Sequence, residues 1–99
     1  MPRTARATPR ELVPGWPDAP ADNVAGETAR RFAHKLREAI GGKSVRSVAD
    51  RAGLNHSTLL GILEGRTWPD LETITKLEHG TEQDLWPGRV MPGRANEVS

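Results

Sequence analysis

The sequence predicts an all-α protein of five short helices, preceded by an extended proline-rich arm. Apolar residues recur three and four positions apart through much of residues 26–85, which is the spacing of one helix face. Residues that cap or stop helices separate these periodic stretches at short intervals. No stretch alternates apolar and polar residues long enough to form a convincing β-strand.

The two ends of the chain lack this periodicity. Residues 1–24 contain five of the eight prolines, and their short apolar stretches follow neither a helical nor a strand period. We therefore expect residues 1–24 to form a flexible arm and residues 88–99 a C-terminal tail, with one domain over residues 25–87. Trp16 lies in the arm and either has no role or docks the arm on the domain.

The first three predicted helices are punctuated by glycines and capping residues. The first helix covers residues 26–40 and stops at Gly41 and Gly42. Ser44 is expected to cap the second helix, and Asn55 the third. The core positions of these helices are Ala29, Phe32, Ala33, Leu36, Ile40, Val45, Val48, Ala49, Ala52, Leu59, Ile62 and Leu63.

The last two predicted helices follow Pro69. Asp70 is expected to cap a helix over residues 71–80. That helix is expected to bury Leu71, Ile74 and Leu77. A final short helix is predicted from Thr81 to Trp86, with Trp86 covering the core.

Gly53 separates the second and third helices, which are joined only by residues 53–55. Such a short join requires a sharp reversal, and glycine adopts a positive φ without a Cβ clash. Ala49 is small enough for a steep helix crossing, Leu54 fills the turn, and Leu59 and Ile62 anchor the following helix. This combination is typical of a helix-turn-helix, whereas an ordinary αα-hairpin gives no reason for the polar residues 55–58.

Composition excludes several classes of protein. The chain has no cysteine, three scattered histidines and no apolar run near the ~20 residues that span a bilayer. No catalytic set, phosphate-binding loop or metal-ligand spacing is present. We expect a cytoplasmic, nucleoid-associated protein without catalytic activity, cofactor, metal or membrane partner.

Charge is unevenly distributed along the chain. Residues 24–66 carry eight Lys and Arg against four acids, and residues 67–99 carry three against six. A net charge of +4 beside one of −3 favours a molecule that presents one face to a polyanion. The alternative is that these charges are ordinary solvated surface charges and bind no polyanion.

The motif resembles the lambda-repressor-like (Cro/C1, or XRE) family of helix-turn-helix DNA-binding domains, over about residues 25–87. The segments that carry the resemblance are Val48-Ala49-Asp50-Arg51-Ala52-Gly53-Leu54, Ser57-Thr58-Leu59, Leu63-Glu64-Gly65-Arg66 and Pro69-Asp70-Leu71-Glu72-Thr73-Ile74. The resemblance implies sequence-specific binding of double-stranded DNA, usually as a homodimer on a palindromic operator. The third predicted helix would enter the major groove with its N-terminus first.

The resemblance assigns base contacts to the start of this recognition helix, at His56, Ser57, Thr58, Leu60 and Gly61. Each position has an alternative: His56 in solvent, Ser57 bonded to its own backbone, Thr58 stabilising the helix, and Leu60 packed on the arm or on a second copy. Gly61 has no side chain to read a base but permits a close approach.

Phosphate contacts are expected on either side of the recognition helix. The residues are Lys43, Ser44, Arg46, Asn55, Arg66, Thr67 and Trp68. Valine at position 45 replaces a glutamine that is common in the family, so that clamp depends on its neighbours. Trp68 alternatively covers the start of the next helix. Arg3, Arg6 and Arg10 would follow the minor groove, unless they form only a disordered basic tail.

The leading interpretation is a transcriptional regulator, expected to be a repressor, without a sensor domain after residue 87. The alternative is an antitoxin or another interaction module that binds a partner protein through its arm or its acidic C-terminal part. A homodimer through Leu85, Val90 and Met91 is a further open arrangement.

Base readout by residues 56–61 is expected to be modest, because no Gln, Asn or Arg stands in this segment to make bidentate base contacts worth ~1–3 kcal/mol each. Specificity would then depend on DNA shape, water and the arm. Selection of bound sequences from random duplex DNA checks this: several sharply fixed bases beneath residues 56–61 would refute it.

Overall fold

The computed structural model describes residues 6–91 of the chain, and this part of the protein is all-helical. The helices are α1 Pro9–Leu12, α2 Val24–Ile40, α3 Val45–Ala52, α4 His56–Leu63 and α5 Leu71–Thr81. No β-strand occurs between residues 6 and 91. The prediction of a five-helix all-α fold is therefore confirmed, although the fifth helix is α1 and not the one predicted after Thr81.

Local capping chemistry sets the starts of α3 and α5 as predicted. The Ser44 hydroxyl accepts a hydrogen bond from the Ser47 N–H at 3.0 Å, and the Asp70 carboxylate accepts one from the Thr73 N–H at 2.8 Å. Each bond satisfies a backbone donor that has no partner within its helix.

Gly53 forms the predicted left-handed corner, with φ 74° and ψ 34°. Its N–H donates to the Asp50 carbonyl at 3.2 Å, and the Leu54 N–H donates to the Ala49 carbonyl at 2.9 Å. These bonds close the end of α3 and turn the chain into α4. Leu54 packs against the core from this turn, as expected.

One apolar core joins α2, α3, α4 and α5. α3 packs against both α4 and α5, and α2 packs against α4. A Cβ at Gly80 would lie 2.9 Å from the Ala52 Cα, so α5 approaches the α3 backbone closely because residue 80 has no side chain. The core residues are Phe32, Leu36, Ala39, Ile40, Val48, Ala49, Ala52, Leu59, Ile62, Leu63, Ile74, Leu77 and Leu85.

The expected flexible arm over residues 1–24 does not hold for residues 6–23, which fold onto the domain. Thr8 and Glu11 form a capping box around α1: the Thr8 hydroxyl accepts from the Glu11 N–H, and the Thr8 N–H donates to the Glu11 carboxylate at 2.7 Å. Pro9 occupies the first turn, where its missing N–H has no consequence. Val13 is fully buried, and α1 packs against α2.

Glu27 fastens this segment to α2. Its carboxylate is completely buried and accepts hydrogen bonds from the Ala21 N–H at 2.9 Å, from the Arg30 guanidinium at 2.7 and 2.9 Å, and from the Arg31 guanidinium at 2.7 Å. Burial alone raises the pKa of Glu27, but the hydrogen bonds from Arg30, Arg31 and Ala21 outweigh it and lower the pKa to about 2.

The chain after α5 differs from the prediction, because residues 82–86 are not helical. Glu82 adopts a left-handed conformation with φ 58°. The Glu78 carboxylate accepts hydrogen bonds from the Leu85 N–H at 2.8 Å and the Trp86 N–H at 3.0 Å, which ties this segment to α5. Leu85 is buried in place of Trp86, which is 52 % exposed and does not cover the core.

Two further expectations for apolar residues are wrong. Leu71 is 81 % exposed, because it is the first residue of α5 and lies beyond the edge of the core that Ile74 and Leu77 enter. Leu85 and Val90 are buried within the chain, so of the three residues considered for a dimer interface only Met91 is exposed.

Replacement of Gly53 by alanine is expected to lower the free energy of unfolding by about 1–2 kcal/mol. No atom lies within 4 Å of an added Cβ, so the cost comes from the left-handed backbone and not from a clash. Urea unfolding measures the effect. Gly42→Ala is the matched control, because it also meets no neighbour but lacks a positive φ, and it should be neutral or stabilising by up to about 1 kcal/mol. Equal losses in both variants would contradict the account of the corner.

The Glu27 cluster makes stability depend on acid pH. The pKa of Glu27 is about 2 in the folded chain and near 4.5 when unfolded, so its contribution is complete above about pH 4.5 and is lost as the pH falls towards 2. Glu27→Gln should lower the free energy of unfolding at pH 7 by on the order of 3 kcal/mol, since two guanidiniums lose their buried carboxylate. Its further loss between pH 4.5 and 2 should be smaller than in the wild type.

Chemical unfolding at pH 7 and pH 3 checks this expectation. Glu38→Gln is the control, because Glu38 is exposed on the same helix and its carboxylate lies 3.7 Å from the exposed His34 ring. The account fails if both variants lose the same stability at pH 7.

Candidate nucleic-acid interface

The start of α4 forms an accessible polar surface. Asn55 and Ser57 are exposed, and His56, Thr58 and Leu60 are partly exposed, while Leu59 and Ile62 lie in the core. Successive helical residues turn by about 100°, so Ser57 faces away from the core residues Leu59 and Ile62. His56 and Leu60 lie on one flank of this face, and Thr58 lies on the other flank.

Asn55 occupies the N-cap of α4 but makes no side-chain capping bond. In each of the other four helices within residues 6–91, the N-cap side chain accepts a backbone N–H. The first N–H groups of α4 thus lack a side-chain acceptor, and the helix dipole adds a partial positive charge at the same place. This end of α4 is chemically suited to an acceptor such as a phosphate oxygen.

Gly61 is buried, in contrast to its expected place beside a base. An added Cβ would lie 2.7 Å from the Thr67 hydroxyl, so the absence of a side chain allows Thr67 to pack on α4. The Gly61 carbonyl accepts from the Arg66 N–H at 2.8 Å and from the Thr67 N–H at 3.3 Å. Gly61 therefore shapes the loop over residues 64–68.

The loop over residues 64–68 presents Arg66 and Thr67 to solvent and half-buries Trp68. The Arg66 guanidinium lies 2.7 Å from the Glu64 carboxylate, in an exposed pair of the kind that contributes about 0–1 kcal/mol. The Trp68 indole N–H already donates to the Ala7 carbonyl at 2.8 Å, so it is not free to bind a phosphate.

Arg6 and Arg10 lie beside this loop. The Arg6 guanidinium stacks over the Trp68 ring, 5.1 Å from its centroid, and the Arg10 backbone N–H donates to the Gly65 carbonyl at 2.9 Å. Both side chains are exposed. The structure thus brings Arg6, Arg10 and Arg66 together at the end of α4. Arg3 lies outside the described residues.

Lys43, Ser44 and Arg46 form a separate exposed group at the start of α3. The eight residues of α3 span about 12 Å, which separates this group from the corner that leads into α4. The Ser44 hydroxyl accepts the Ser47 N–H as its cap, but its own proton remains free to donate to a phosphate.

Sequence reasoning missed how the N-terminal segment reaches α4. The Trp16 indole N–H donates to the Leu63 carbonyl at 3.1 Å, so Trp16 docks its segment on the last turn of α4. The run Thr8-Pro9-Arg10-Glu11, which matches the capping-box pattern with a proline at the first helical position, is the signal that predicts α1. No local signal connects Trp16 to Leu63.

No helix within residues 6–91 has both the length and the apolar character needed to cross a bilayer.

Comparison with known proteins places the motif in a family. A family model described as helix-turn-helix matches residues 34–82. A search of curated proteins found no match. The solved structures that resemble the chain include the high-resolution crystal structure of the restriction-modification controller protein C.AhdI from Aeromonas hydrophila, with 29 % sequence identity and a TM-score of 0.50. That likeness covers 54 % of this chain and 83 % of the controller protein.

These matches and the geometry agree. The family model spans the later part of α2 and all of α3, α4 and α5, including the Gly53 corner, while residues 6–23 lie before it. Both matches support DNA-binding transcriptional regulation. Residues 34–82 thus carry a lambda-repressor-like (XRE) helix-turn-helix, which confirms the resemblance that the sequence shows.

Proposed function

We propose that this protein is a sequence-specific, double-stranded DNA-binding repressor whose α4 enters the major groove. The observation that carries the proposal is the accessible N-terminus of α4, which the Gly53 corner turns outwards and which lacks a side-chain cap. A helix is about 10–12 Å wide with its side chains, and the major groove is about 12 Å wide.

Base contacts in this proposal come from one face of α4. His56 donates to or accepts from a purine edge, Ser57 reaches a base or a phosphate, and Leu60 packs against a thymine methyl group. Thr58, on the other flank of α4, either reaches a base or stabilises the helix, whereas Gly61 shapes the loop. Three such readers without a bidentate amide or guanidinium give modest direct readout.

Phosphate contacts come from two groups that flank this face. Lys43, Ser44 and Arg46 supply one at the start of α3, and Asn55 adds a polar side chain at the start of α4. The second group consists of Arg66 and Thr67 with Arg6 and Arg10. Because Arg6 and Arg10 are held at the end of α4, we assign them to the phosphate backbone and not to the minor groove.

A protein partner is the second candidate function, and an apolar groove favours it. The groove has a volume of about 320 Å³ and is lined by Ala25, Thr28, Ala29, Phe32, Trp68, Pro69, Ile74 and Trp86. Residues 6–23 are packed on the domain, so we assign partner binding to this groove and not to the arm. A second copy of the chain, or the partner protein that this chain would bind as an antitoxin, would occupy the groove. The nucleoid of the cytoplasm is the location that DNA binding implies.

Selection from random duplex DNA decides between the two functions. The full-length protein should enrich a defined sequence, and two related half-sites about 34 Å apart would show that two chains bind together. Sedimentation of the protein with the enriched duplex gives the number of chains in the complex. No enrichment, together with no salt-dependent binding to any duplex, would overturn the proposal and favour the protein-partner function.

Removal of one phosphate contact should lower the salt dependence of binding. Arg66→Ala and Lys43→Ala are each expected to weaken binding to all DNA sequences and to reduce the slope of log K against log salt by ~1. Titration of labelled duplex at several salt concentrations measures the slope.

Lys76→Ala is the matched control for these variants. Lys76 lies on α5, pairs with Glu72 at 3.3 Å and belongs to neither set of proposed phosphate contacts, so the salt slope of this variant should match that of the wild type. Unchanged slopes in Arg66→Ala and Lys43→Ala would remove these residues from the interface.

A further inference from the structure

Residues 7–21 connect the start of α2 to the end of α4, and we call this segment the strap. The strap contains α1, which packs against α2, and its residue Val13 is fully buried. It precedes the family match, which begins at residue 34. The contacts of the strap with α4 therefore lie outside the part of the chain that the family model matches.

Hydrogen bonds from the strap satisfy the end of α4. The last carbonyls of a helix have no partner within it. Here the Trp16 indole N–H donates to the Leu63 carbonyl at 3.1 Å, and the Arg10 N–H donates to the Gly65 carbonyl at 2.9 Å. In return, the Trp68 indole N–H donates to the Ala7 carbonyl at 2.8 Å.

The strap also lies in van der Waals contact with the loop over residues 64–68. A Cβ at Gly65 would lie 2.7 Å from the Trp16 Cε2 atom and 2.8 Å from the Arg10 Cβ atom. Gly65 also has φ 74°, which glycine adopts without strain. The side chains of Trp16 and Arg10 thus pack directly on the Gly65 backbone.

The other end of the strap is fixed on α2. The Ala21 N–H donates to the buried Glu27 carboxylate at 2.9 Å, and the Arg30 guanidinium donates to the Pro17 carbonyl at 3.2 Å. The strap therefore joins a long, well-packed helix to the end of a helix of only eight residues.

We propose that the strap is a positioning element for DNA binding, in which Trp16 and Trp68 hold α4 and its loop at a fixed position relative to α2. This inference rests on the proposed function. A helix as short as α4 is marginal without tertiary contacts, and its N-terminus lacks a side-chain cap. Its restraint comes from its buried face and from the strap at the end that faces away from the bases.

Trp16→Phe tests the strap in the full-length protein. Phenylalanine keeps an aromatic ring but removes the N–H that donates to Leu63. We expect affinity for the duplex enriched by selection to fall about three- to tenfold, as loss of one hydrogen bond predicts. Affinity for a random-sequence duplex and the salt slope should not change, because no charge is removed.

Thr81→Val is the matched control. The Thr81 hydroxyl donates to the Leu77 carbonyl at 2.8 Å, so this variant also removes one side-chain donor near the end of a helix, but on α5 and outside the strap. Hydrogen exchange adds a readout that a general loss of stability would not reproduce. In Trp16→Phe, amides of residues 63–68 should exchange faster while those of the α2 core keep their protection.

Trp68→Phe is the second variant, because it breaks the bond to Ala7 at the other side of the loop. The proposal is overturned if Trp16→Phe and Trp68→Phe bind the enriched duplex within twofold of wild type. It is also overturned if both variants unfold, or lose protection evenly throughout the domain, since the strap would then serve folding alone.

The wild-type titration separates this test from the proposed function. Wild-type protein that binds no duplex refutes DNA binding and, with it, the role of the strap in affinity. The exchange rates of residues 63–68 then still show whether Trp16 fixes the end of α4. Wild-type binding with unaffected variants refutes the strap alone.

Discussion

The left-handed backbone at Gly53 is the constraint on which the arrangement of this protein depends. With φ at 74°, residues 53–55 suffice to end α3 and begin α4 in a new direction. The same reversal sends Leu59 and Ile62 into the core while Asn55 and Ser57 stay in solvent. A single backbone conformation therefore sets both the packing of the core and the exposure of the surface that we assign to DNA.

The two ends of α4 differ in their hydrogen bonding, and this difference is the second feature that sets which end is accessible. Its first turn lacks a side-chain cap and is accessible, whereas its last turn receives donors from Trp16 and, through Gly65, from Arg10. The N-terminal end retains free donors and a partial positive charge, and the C-terminal end is satisfied by protein groups. Such a helix presents one end to a polyanion while the other end remains part of the fold.

The features that the sequence predicts correctly are those with local causes. Ser44, Gly53 and Asp70 form hydrogen bonds with residues three or four positions away, so the sequence alone predicts their roles in caps and turns. The sequence does not predict the strap in this way, because Trp16 and its acceptor on Leu63 are 47 positions apart. Periodicity assigns Leu71 to the core face, but it does not show that the core ends before the first residue of α5. The same limit applies to Trp86, because Leu85 takes its place in the core where Glu78 ties the chain to α5.

The path of the strap also determines how this protein tolerates fusion to other sequences. The Arg6 guanidinium stacks on Trp68, so the described chain begins immediately beside the end of α4. Any domain or affinity tag attached upstream would be connected through residues 1–5 to Arg6, at this end of the helix. A bulky or acidic attachment there would crowd or repel a nucleic acid, whereas an enzyme domain delivered through the same junction would be carried directly to the bound duplex.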